Sequence, residues 1–107
     1  IYTLSLHDAL PILQQIELFK RSYLEKKNYA KPFYVKTATK KPTAPSWDQL
    51  DQKIKDVVVD IFYQGIRYPA SLIEAAIAGR TALINFIRAD SSLMRYEPTR
   101  QRIRYLQ

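Results

Sequence analysis

The sequence predicts an all-α fold, a helical lobe packed around one central buried helix at about residues 46–64. Three observations predict it. Apolar residues recur at helical spacing in several stretches, capping and stop residues fall between those stretches, and one stretch is apolar almost all round its axis.

The first twelve residues stand apart from this pattern. Leu4 to Ile12 (LSLHDALPI) resembles a sequencing adapter translated in one frame. Residues 1–12 are therefore read as non-native and excluded from fold reasoning, leaving residues 13–107 as one partial helical domain. Ile1 to Leu10 also lacks the basic start and uninterrupted apolar core of a signal peptide, so no export signal is visible.

Ile12, Ile16, Phe19 and Tyr23, joined by Leu13 and Leu24, follow helical spacing, with Glu17, Lys20, Arg21, Lys26 and Lys27 at the other positions. The pattern fades near Asn28, and Pro32 predicts its end. Lys31 to Pro45 holds three prolines and little apolar content, which predicts a long surface loop. Ser46-Trp47-Asp48-Gln49 then has the form of a capping box, in which the Ser46 hydroxyl and the Gln49 side chain each serve the other's backbone amide.

The helix expected from that cap carries the stripe Leu50, Ile54, Val57 and Ile61. Val58, Val59, Phe62 and Tyr63 extend the stripe around the axis, and such a segment belongs in an interior. Gly65 supplies its stop. Pro69 opens a third helix bearing Leu72, Ile73, Ala76 and Ile77 and closed by Gly79. Thr81 is the expected cap of a fourth helix, with Leu83, Ile84 and Ile87 inward, before a turn at Asp90-Ser91-Ser92. A last helix is expected from Pro98, with Thr99, Ile103 and Leu106 on one face and Arg100 and Arg104 on another.

Composition narrows the chemistry. The 107 residues include no cysteine and a single histidine, His7, inside the suspected scar. Disulfides, thiolate chemistry, Ser-His-Asp catalysis and zinc sites are thus not expected, and neither a cofactor nor a metal is assigned. Aromatic residues at 12% and apolar residues at 47% signal a packed core, and no apolar run approaches the roughly 18 residues of a membrane span. Lys and Arg outnumber Asp and Glu by 17 to 10, which points to an anionic partner.

Three constellations merit weighing. Asp56 and Asp60 sit one turn apart, but two carboxylates on one helix face approach a substrate from the same side, whereas glycosidic carboxylates flank the bond at about 5 to 9.5 Å. With Lys53 nearby they are expected on a solvated, charge-balanced face. Tyr63-Gln64-Gly65 delivers a phenol and an amide to a helix end where glycine permits close approach, a combination that suits a sugar ring. Arg95 and Tyr96, followed by Arg100, Arg102 and Arg104, suit carboxylate or phosphate, although the spacing is expected to scatter Arg102 away from its neighbours.

Gln14 to Phe19, the segment Asp60-Ile61-Phe62-Tyr63-Gln64-Gly65 and the ending Tyr96 to Leu106 together resemble the C-terminal lobe of the phage-type lysozymes, and more closely that of the pesticin-like bacterial toxins. In that family the buried helix closes with Phe or Tyr, then Asn or Gln, then Gly, often with a residue before the glycine that this chain lacks. The resemblance implies a muramidase-type glycoside hydrolase acting on bacterial peptidoglycan, in the periplasm or cell wall. It implies a glutamate general acid, an aspartate and a threonine in a smaller N-terminal lobe, none of which maps onto this chain, so no catalytic residue is assigned here. Tyr63, Gln64 and Arg100 are the residues expected to face substrate. The expected partners are glycan strands and, for a toxin, an immunity protein, with nucleic acid not expected. The second reading is a small basic helical module that binds nucleic acid or an acidic protein partner.

Overall fold

The computed structural model describes Leu13 and residues 20–107, and within them it is all-helical, with no strand. The order is α1 (Lys20–Ala38), a 3-10 turn (Trp47–Gln49), α2 (Gln52–Gln64), α3 (Pro69–Ala78), α4 (Arg80–Ala89), α5 (Ser91–Arg100) and α6 (Arg102–Leu106). The suspected scar, the stripe positions Ile12, Ile16 and Phe19, the side chain of Tyr23 and the segment Gln14 to Phe19 lie outside the described residues.

α2 is the hub, packed against α1, α3 and α6. Ile54 and every residue from Asp56 to Phe62 are buried, as its near-continuous apolar surface requires. Its start differs from expectation. The Ser46 capping box forms, with the Gln49 amide donating to Ser46 Oγ at 3.3 Å, but it caps only the 3-10 turn. Leu50 then adopts extended backbone, burying its side chain, and Asp51 caps α2 by accepting from the Lys53 amide at 3.1 Å.

The expected loop over Lys31 to Pro45 is a correction. α1 runs straight through Pro32 to Ala38, and only the segment after it is irregular. Pro32 forfeits one helical hydrogen bond, at a cost of about 3 kcal/mol. Ala30 and Tyr34, fully buried one turn apart on either side of it, fix the helix against the core while Pro32 itself faces solvent. The Tyr34 hydroxyl donates to the Pro45 carbonyl at 2.6 Å and its ring meets Trp47 edge-on at 5.5 Å, fastening the irregular segment back onto α1. Burial raises the pKa of that phenol above its ordinary value.

Gly65 ends α2 at φ +104° and Gly79 separates α3 from α4 at φ +121°, backbone that side chains other than glycine rarely adopt. α4 begins at Arg80 without a side-chain cap, so Thr81 lies inside the helix. The predicted turn at Asp90 to Ser92 and start at Pro98 are likewise corrected. Asp90 caps α5, accepting from the amides of Ser92 and Leu93 at 2.9 and 3.1 Å, and Pro98 lies within that helix. The Ser92 hydroxyl and these amides hold the Asp90 carboxyl below the usual carboxylate range.

The last helix is broken in two. Gln101 adopts the left-handed conformation at φ 53° and ψ 42°, with its amide donating to the Glu97 carbonyl at 2.7 Å. α6 then leaves in a new direction, and the Glu97 side chain accepts from the Ile103 amide at 2.8 Å, satisfying one free donor of its first turn.

Candidate functional site

The break at Gln101 decides where the arginines go. Had the chain continued as one helix, Arg100 and Arg102 would point about 200° apart. The left-handed residue between them instead sends both to one carboxylate. Arg100 Nε donates to Asp60 Oδ2 at 3.1 Å while its Nη2 pairs with Oδ1, and Arg102 Nε donates to Oδ2 at 2.8 Å. Arg102 is fully buried and reaches Gln64 Oε1 through Nη2 at 2.6 Å. Burial lowers the pKa of its guanidinium, an effect that the Asp60 carboxylate opposes.

One turn earlier on α2, Asp56 accepts from the Tyr105 hydroxyl at 2.5 Å and from Gln52 Nε2 at 2.8 Å. Burial, reinforced by this carboxylate, raises the pKa of the Tyr105 phenol far above its ordinary value. Asp56 and Asp60 are only 4% and 5% exposed, which corrects the expectation of a solvated face. Arg102 is corrected too: it converges with Arg100 rather than scattering. Their carboxylate oxygens face arginine, tyrosine and glutamine donors, an arrangement that fastens α6 to α2 and presents neither acid to a substrate.

The residues expected to face substrate therefore part company. Gln64 and Arg100 are brought together through Arg102 and Asp60 in a partly buried cluster. Tyr63 faces outward, 43% exposed, with Lys26 Nζ 6.0 Å from its ring centroid. Gly65, two residues on, lies on open surface, where an added Cβ would meet nothing within 4 Å.

Sequence reasoning missed Lys26 and Tyr29, which α1 brings to this same seam. The Tyr29 ring meets Phe62 edge-on at 5.9 Å, and Phe33 lies 5.5 Å from both rings. Their three-residue spacing was a usable signal only for a helix that continues past Asn28.

Among the described residues no group of acids or histidines could hold a metal ion, and no helix is long and apolar enough to cross a membrane. Compared with models of protein families, with curated proteins and with solved structures, the chain matches none of them.

Proposed function

We propose that this helical lobe binds the glycan strands of bacterial peptidoglycan as one wall of a muramidase-type hydrolase, acting in the periplasm or cell wall. The observation that carries the proposal is Tyr63, an exposed phenol just after the buried run Asp56 to Phe62, two residues before an open glycine and with a lysine Nζ 6.0 Å from its ring centroid. An aromatic face and an unhindered backbone suit a sugar ring, and the resemblance of the Asp60 to Gly65 segment to the lysozyme lobe implies the same turn. The general acid of such a reaction must stand protonated at the leaving oxygen. The two buried acids of α2 are turned to donors within the fold rather than to a ligand, so in this reading the described residues serve binding and scaffold.

Surface charge supports an anionic ligand more strongly than net charge alone. Asp51, Asp56, Asp60, Asp90 and the Glu97 carboxylate are engaged in ion pairs or hydrogen bonds within the fold. That leaves Glu25, Asp48 and Glu74 as the exposed acids among the described residues, against exposed Lys31, Lys36, Lys40, Lys41, Lys53, Arg67, Arg88, Arg95 and Arg104. The same charge favours the second reading, a basic module for nucleic acid or an acidic protein.

Sedimentation with purified peptidoglycan sacculi tests the choice. The chain should co-sediment with sacculi without clearing them, and should bind duplex DNA more weakly at equal salt. Tight DNA binding with a steep salt slope and no retention on sacculi would replace the first reading with the second.

A further inference from the structure

We infer that α6 is an exchangeable element: a second copy of this chain lays its own Arg102–Leu106 helix on the face of α2 that holds α6 here, giving a domain-swapped dimer. The inference is independent of the cell-wall reading and rests on how α6 is held and how it is joined to α5.

α6 is held by a polar row on an otherwise apolar rod. Gln52, Asp56, Asp60 and Gln64 follow one another at four-residue steps along α2 and so share a face. The Tyr105 hydroxyl donates to Asp56, which also accepts from Gln52, and the Arg102 guanidinium donates to both Asp60 and Gln64. Leu106 is buried with them, and α6 packs against α2 and α4. These contacts ask for an α6, whichever chain it comes from.

The join to α5 is strained. Among the described residues Gln101 alone has a positive φ without being glycine. Left-handed backbone crowds a Cβ, and helices that end in it usually place glycine there. With ordinary helical angles at Gln101, α5 and α6 become one helix, and the amides of Arg102, Ile103 and Arg104 turn to carbonyls one turn back. The Ile103 amide then exchanges the Glu97 side chain for a backbone partner. Arg100 and Arg102 diverge by about 200° in such a helix. A chain whose Arg100 stays on its own Asp60 therefore sends its Arg102 outward, to a neighbour.

Exchange between two copies rebuilds both polar rows. The two states differ in the strain at two hinges, which favours the dimer, and in the freedom lost when two chains join, which favours the monomer. The dimer is thus expected at high protein concentration.

Size-exclusion chromatography with light scattering, over a range of concentrations, reads the association. The parent should shift from 12.5 kDa toward twice that mass as concentration rises. Gln101→Gly relaxes the hinge of the monomer and weakens the continuous helix, so the association constant should fall on the order of tenfold. Gln101→Ile, whose branched Cβ resists left-handed backbone, should raise it on the order of tenfold. Crosslinking identifies the exchanged element. The chain has no cysteine, so Lys53→Cys and Gln107→Cys, exposed positions on α2 and just after Leu106, carry a short bis-maleimide cleanly. The double variant should crosslink within a monomer. Chains bearing one substitution each, mixed at high concentration, should crosslink to each other.

Monomers alone at every concentration, for the parent and Gln101→Ile alike, would overturn the inference. So would a dimer indifferent to residue 101, or one in which the mixed chains never crosslink, since either describes two intact surfaces in contact. Failure of the double variant to crosslink internally would remove the α2–α6 contact on which the exchange depends.

Discussion

Asp60 holds more of this structure together than its sequence neighbourhood suggests. It receives guanidinium donors from two arginines on different helices, and one of them, Arg102, has no exposure to water. Asp60→Ala leaves that guanidinium buried without its carboxylate, and the expected cost is about 3–5 kcal/mol, read from urea unfolding midpoints and slopes. A loss below about 1 kcal/mol would mean that water reaches the cluster. The residues of this cluster were visible in the sequence, but their pairing was not. The clue lay in the apolar surface that nearly encircles α2, because an acid on a buried rod must find a partner inside. The partners themselves could not be read, since helical spacing separates Arg100 from Arg102 and only the left-handed Gln101 reunites them.

At the scale of elements, stop signals carrying a positive φ were legible and prolines misled. Gly65 and Gly79 end their helices as the sequence predicts, because glycine is the residue that adopts those angles without strain. Pro32 and Pro98 lie inside helices that were expected to stop or start at them. In α1 the reason is tertiary: buried side chains on both sides of Pro32 hold the helix across the missing hydrogen bond. Pro32→Ala restores that donor at an exposed position and should stabilise the protein by about 1–3 kcal/mol, seen as a higher melting temperature. An unchanged or lower melting temperature would mean that α1 does not continue through residue 32.

For the molecule as a whole, the all-helical class and the central place of α2 were legible, while of the three residues expected to face substrate only Tyr63 stands exposed. Gln64 and Arg100 carry the right chemistry for a ligand but spend it internally, a fact fixed by long-range contacts that periodicity does not encode. Whole-molecule cooperativity should appear in alkali. Tyr34 and Tyr105 are both shifted upward on folding, so the fold binds their protons more tightly than the unfolded chain does. Their stabilising effect is complete below about pH 10, the unfolded value, and is lost as pH rises through the folded ones. Melting temperature should therefore fall above about pH 10, and Tyr105→Phe should make that fall shallower. An equally steep fall in the variant would assign it to other groups. The seam between α2 and α6 has one more consequence. Asp56 and Asp60 meet Tyr105 and Arg102 in reversed order along the chain, so the two contacts act as unlike pins in a keyed joint. A short helix could slide or turn end for end on a greasy rod at little cost, but only one direction and one register seat both pins.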